Sequence, residues 1–312
     1  MRFWIYHHQH KGKPFQKALK EMGWEYSRYP QIVLFDTMRP QKIFDLYSKM
    51  GSVFVLYPHT AMATWWYDGL IEMRPEISAM LCIGEGQAEV QRIILPDMPV
   101  YPVGWSYCKQ RPLVLPKEVK RITFAPIHPA GRDGKTLRPE AKDINARVYA
   151  DLLKLTSDVQ VIVRMIGTLE GNGLWYNSKV VVKNGKPDGS YDEIDVADLV
   201  IAEGMYMYLA VARGKPVIAM NQYVPMRSNV NEIMPANWER YNHLQAYPID
   251  YDDGGGIIEN IDRAISENEA VNVWKSRFIG AQLEAKTLSE TLEKIYADHS
   301  QHEERPALES DS

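Results

Sequence analysis

The sequence predicts an α/β protein: two open, parallel-stranded α/β domains facing a cleft, with a helix at the C-terminal end. Three observations predict this. Short apolar runs of strand length alternate with amphipathic windows along the chain. The alternation is interrupted by Lys109–Lys120, KQRPLVLPKEVK, rich in proline and charge, and then restarts. One stretch, Ile194–Asn221, IDVADLVIAEGMYMYLAVARGKPVIAMN, reads as strand, tight turn, helix, loop and strand.

In the first half, the apolar runs Arg2–His7, Gln31–Phe35, Ser52–Tyr57, Ala79–Gly84 and Val100–Trp105 read as strands. Phe15–Met22, Gln41–Lys49 and Gly86–Ile94 read as the helices between them. The linker puts the boundary between domains 1–115 and 116–300. In the second half, Ile122–Ala125, Val159–Arg164 and Lys179–Lys183 are strands, and Asn145–Leu155 is a helix. Leu199–Ala202 and Val217–Met220 are further strands, with the helix Met205–Arg213 between them. Leu244–Ile249 is strand-like, and Ile257–Glu267 and Val273–His299 are helices. Residues 301–312 are polar and acidic and read as a disordered tail.

Composition narrows the function classes. The chain has 312 residues, 45% hydrophobic and 24% charged, ordinary values for a water-facing globular protein. No run reaches the roughly 20 apolar residues that span a bilayer, and the N-terminus has no signal-peptide core. Only two cysteines, Cys82 and Cys108, are present, which argues against a disulfide framework and for the cytoplasm. Residues 1–150 carry a net +7 and residues 151–312 a net −11. A basic first half suits an anionic partner, or simply balances an acidic second half.

Candidate site residues come from strand ends. In parallel sheets, ligands gather beyond the carboxyl ends of the strands. His10, Lys11 and Lys13 lie in the loop after the first strand, and His59 follows the third. His7, His8 and His10 lack a carboxylate or cysteine to complete a metal set, so no metal is expected. Histidine's unperturbed pKa suits a general base, so His59 reads as a base or as a capping or packed residue. Trp65 and Trp66 either stack on an acceptor ring or pack the domain. Gly204 permits close backbone approach where a helix begins. There the outward N–H groups and the helix dipole favour a phosphate. Glu203 is placed to hold ribose hydroxyls; alternatively, Gly204 is only a turn residue and Glu203 a solvated side chain.

The segment ADLVIAEGMYMYLAVARGKPVIAMN resembles the donor-domain signature of the GT-B glycosyltransferases, which have two Rossmann-like domains. Ile122–Pro126, ITFAP, resembles the first donor-domain strand of the CDP-glycerol glycerophosphotransferase branch, and His59 falls where that branch carries a histidine. The turn departs from the common Gly-Gly or Ser-Ser in having Glu203-Gly204-Met205, the residue after His59 is Thr60, and Arg164 is followed by Met165-Ile166 rather than His-Pro. UDP-N-acetylglucosamine 2-epimerases share the fold.

The resemblance implies a metal-independent glycosyltransferase with no bound cofactor. It would use a nucleotide-sugar donor of UDP or GDP type, or a CDP-linked one. The Gly204 and Met205 amides would meet the diphosphate, with Arg164 and His128 neutralising the leaving group. His59, or its rival His10, would be the base, and Lys11, Lys13, Trp65 and Trp66 would meet the acceptor. The acceptor would be anionic: a phosphorylated glycan, a teichoic-type polymer, or a hydroxylated base in DNA, as in some virus-encoded members of the fold. A polyol-phosphate transferase and a non-catalytic binding protein on the same fold are the alternatives.

Overall fold

The computed structural model describes residues 1–6, 12–35, 41–57, 76–94, 96–105, 109–127, 140–184, 191–220, 247–252, 254–266 and 268–303. The chain divides into two compact units. One contains Met1–Tyr107 and Arg277–Ser312, and the other contains Cys108–Met226 and Gln245–Ser276.

In the first unit the strands are β1 (Arg2–Tyr6), β2 (Glu25–Tyr26), β3 (Ile32–Phe35), β4 (Val53–Leu56), β5 (Ala79–Cys82) and β6 (Val100–Pro102). They form one parallel sheet in the order β2-β1-β3-β4-β5-β6. IVLF, VFVL and AMLC are buried at every position, as strands covered on both faces must be. Helices run over Lys13–Glu21, Gln41–Ser48 and Glu85–Ile94. The first buries Phe15, Ala18 and Leu19, an i, i+3, i+4 stripe facing the sheet.

The last helix, Ala285–Glu303, also belongs to this unit. Leu288, Leu292 and Ile295, again at helical spacing, pack into the core with Phe3, Phe15, Leu19 and Trp24. The Trp24 indole N–H donates to Ser289 Oγ at 2.9 Å, tying the helix to the start of the chain. Chain order had grouped this helix with the second sheet; its apolar stripe packs on the first. It is also separate from the helix Glu269–Phe278, where one continuous helix was expected from Val273. The break comes from strand-like pairing: Trp105 N–H donates to Ala281 O, and Leu283 N–H donates to Trp105 O. Residues that pair this way are drawn out of a helix.

The second unit holds β7 (Arg121–Phe124), β8 (Gln160–Met165), β9 (Val180–Asn184), β10 (Leu199–Ala202) and β11 (Val217–Ala219). All are parallel, in the order β11-β10-β7-β8-β9. The Leu244–Ile249 expectation reduces, among the described residues, to a bridge between Ala219 and Asp250. The proline-rich linker is a fixed part of this unit. Arg111 N–H donates to Ala212 O at 2.8 Å and Val114 N–H to Gly214 O at 3.0 Å. Gly214 is required there: a Cβ would lie 1.9 Å from Pro112 O.

Candidate functional site

The second sheet places its own ligand end. From β7 the chain moves outward to β8 and β9, then returns to β10 on the other side of β7 and continues to β11. The order therefore reverses between β7 and β10, and the carboxyl ends of those two strands flank the switch point where sheets of this kind bind ligands. Ala125–Ile127 leaves β7 there, and Glu203-Gly204-Met205 leaves β10. The two exits are in register, with Ala125 N–H donating to Ile201 O at 2.9 Å.

At the end of β10 the backbone turns abruptly. Glu203 is extended (φ −116°, ψ 156°), Gly204 is left-handed (φ +57°), and the helix Gly204–Ala212 begins. A side chain would strain at that φ, and a Cβ on Gly204 would meet no atom of the described residues within 4 Å. So, among the described residues, the glycine leaves open space over the helix start, where the N–H groups of the first turn have no helical acceptor. The Glu203 side chain does not cap the helix. Glu203, Gly204 and Met205 are all half-buried.

A charged stack ties the first turn of this helix to β8. Arg164, on β8, pairs through Nε with Glu193 Oε1 at 2.5 Å, with side chains 13% and 7% exposed. Tyr206, in the first turn of the helix, donates its hydroxyl to the same Oε1 at 2.8 Å. The Arg164 guanidinium lies over two rings, 4.8 Å from the Tyr191 centroid and 4.9 Å from that of Tyr206. Arg213 approaches the Tyr191 ring at 5.5 Å and pairs with Asp195 at 2.7 Å. Burial and then the Glu193 charge push the Tyr206 phenol far up, so it stays protonated and donates.

The exit from β7 is held as firmly. Asn145 is fully buried; its Oδ1 accepts from Ile127 N–H and its Nδ2 donates to Ile127 O, both at 2.8 Å. The same Nδ2 donates to Asn172 O at 3.0 Å. Asn172 in turn donates to Ile166 O and Thr168 O, fixing the turn after β8.

Of the residues picked from the sequence, Arg164, Glu203, Gly204 and Met205 lie in the second unit at carboxyl ends of strands. Gly204 and Met205 open the helix, while Arg164 is engaged by Glu193. Lys13 is exposed at the start of the Lys13–Glu21 helix in the first unit. His10, Lys11, His59, Trp65, Trp66 and His128 lie outside the described residues. Sequence reading missed Glu193, Tyr191, Tyr206 and Asn145. Glu193 and Tyr191 precede β10 in a segment without an apolar pattern, and Asn145 resembles an ordinary helix residue. Asn172, three residues after Leu169, carried no signal either.

No family model matches the chain, and no curated protein sequence matches it. Solved structures do. The wall teichoic acid polymerase TagF aligns with a TM-score of 0.55 over 96% of this chain and 90% of that one, at 10% identity. The glycosyltransferase SnogD from Streptomyces nogalater aligns with a TM-score of 0.51 over 94% of this chain and 99% of that one, at 12% identity. Likeness at that identity is likeness of fold. The chain has the two-sheet α/β fold of the GT-B glycosyltransferases, to which its turn-and-helix signature is also similar. No described helix is long and apolar enough to cross a membrane.

Proposed function

We propose that the protein is a GT-B-fold transferase that moves a sugar from a nucleotide-sugar donor to a hydroxyl of an anionic acceptor. The observation that carries the reading is the left-handed Gly204 turn, open above among the described residues, at the carboxyl end of β10 beside the switch point. A diphosphate seated there accepts from the Gly204 and Met205 amides and gains from the helix dipole. Glu203, one residue earlier, takes ribose hydroxyls. Arg164 and His128 supply positive charge as the diphosphate leaves.

The acceptor oxygen attacks the anomeric carbon while the bond from that carbon to the diphosphate breaks. The hydroxyl proton passes to His59, or to His10. General-base help of this kind is worth about 10²–10⁴-fold. An anionic acceptor is favoured by the net +7 of residues 1–150. The exposed row Lys13, Lys17 and Lys20, with Gln16 and Glu21, rims a surface hollow of about 440 Å³ in the first unit. Lys11, Trp65 and Trp66 complete the acceptor contacts. A phosphorylated glycan or polymer fits that charge, and no observation points to DNA. Turnover without a metal or bound cofactor is part of the proposal.

The likeness in fold to a wall teichoic acid polymerase keeps a CDP-linked polyol-phosphate donor as the second reading. A thermal-shift panel of UDP-, GDP- and CDP-linked compounds separates the two. A ligand at about 100 times its Kd stabilises by about 2.7 kcal/mol. Stabilisation by UDP- or GDP-sugars supports the first reading, and stabilisation by CDP-glycerol alone supports the second. No response to any nucleotide refutes both.

A further inference from the structure

We propose that Glu193 and Tyr206 are positioning residues for the diphosphate, acting as a clamp that sets the direction of the first helical turn. The inference rests on the donor site proposed above and names what holds that site in shape. Tyr206 belongs to the turn whose amides face the ligand, and its hydroxyl is anchored 2.8 Å from Glu193 Oε1. Arg164 holds the same oxygen from β8 at 2.5 Å and lies against the Tyr206 ring. The far end of the helix is tied to the same short segment: Arg213, its C-cap, donates to Asp195 at 2.7 Å and to Tyr191 O at 3.2 Å. Residues Tyr191–Asp195 thus grip the helix at both ends. The segment is itself fixed to the sheet, because Thr123 Oγ1 on β7 donates to Glu193 O at 2.8 Å.

The chemistry of the grip separates aim from mere cohesion. A buried ion pair contributes little net stability compared with apolar packing of the same volume, but it is directional. A phosphate bound by backbone amides depends on direction: donors misaligned below about 120° lose most of their strength. Charge alone argues the other way. Glu193 places a negative charge 2.8 Å from the hydroxyl of a first-turn residue, and like charge repels a diphosphate, so a purely electrostatic view has binding improve when that charge is removed.

The two views predict opposite signs for one variant. Inorganic pyrophosphate and UDP are titrated calorimetrically into the full chain, its Glu193→Gln and Tyr206→Phe variants, with unliganded melting curves alongside. The clamp predicts that Glu193→Gln binds pyrophosphate more weakly despite its extra net positive charge. It also predicts that Tyr206→Phe, which keeps the ring over Arg164 and loses only the hydroxyl, weakens both probes about tenfold with a small change in melting temperature. Tighter binding by Glu193→Gln, or unchanged binding by Tyr206→Phe, overturns the clamp while leaving the donor site standing. Should Glu193→Gln fail to fold, Tyr206→Phe decides alone. If the unaltered protein binds neither probe, the donor site fails and takes the clamp with it.

Discussion

Replacing Gly204 with alanine tests the site where backbone and ligand requirements separate. The native φ of +57° costs a residue with a Cβ about 1–2 kcal/mol. Part of that is returned, about 0.4–1 kcal/mol, because alanine has less freedom to lose from the unfolded chain. No atom of the described residues lies within 4 Å of the new methyl, so they add no packing penalty. The net loss is about 1 kcal/mol, or roughly 2–4 °C in melting temperature for a domain of this size. Ligand binding is another matter. The methyl enters the open space over the helix start and holds a phosphate off the Gly204 and Met205 amides. A hydrogen bond to a charged group is worth about 1.5–3 kcal/mol, so losing one contact weakens UDP and pyrophosphate binding about 10–100-fold. Calorimetric titration with both ligands, beside a thermal melt, reads the two effects separately. Wild-type affinity in a folded Gly204→Ala protein would refute the phosphate cradle. A melting temperature lowered by 10 °C or more would refute the claim that the space is open.

Gly214→Ala gives the contrasting outcome. Its Cβ would sit 1.9 Å from Pro112 O at a left-handed φ of +75°, and about 3–5 kcal/mol of stability is lost, seen as a shifted urea midpoint. Asn145→Ala strips both partners from the Ile127 backbone and is expected to cost about 2–4 kcal/mol, with faster amide exchange at Ile127 as the local signature. Cys82 is buried and its thiol is pushed far up by that burial, with Glu85 adding to the rise and Arg92 opposing it. Iodoacetamide therefore leaves Cys82 unmodified in the folded protein at pH 8 and labels it on unfolding, read by peptide mass spectrometry.

Much of the fold was legible because parallel strands buried on both faces leave plain marks. VFVL, AMLC and LVIA are uninterrupted apolar runs, each preceded by a serine or an aspartate, and each forms a strand within a residue or two of the expected limits. The strand-to-helix turn at Gly204 was legible for a related reason: LVIA gives way to Glu203, and a glycine one residue later marks the turn into the next helix. The partner of a helix was harder to read. Leu288, Leu292 and Ile295 announce an apolar stripe but not which sheet it faces. The break before that helix depends on Trp105, well over a hundred residues earlier in the chain. Arg164 shows the same limit within the candidate site. Its place at a strand end was evident, whereas its engagement by Glu193 is a tertiary fact carried by a segment without periodicity. Asn145 was invisible because helix positions tolerate asparagine, and only the buried Ile127 backbone explains it.

The seating of the final helix beside Trp24 has a consequence for synthesis on the ribosome. The first sheet and its opening helix emerge early, yet the side chains that cover Phe15, Leu19 and Trp24 come from Leu288, Leu292 and Ile295. At about 5–20 residues per second, the nascent chain waits roughly 10–40 s for that cover. During the wait one flank of the early lobe is greasy and uncovered, an invitation to chaperones. A transcript truncated shortly before Ala285 would leave it so permanently.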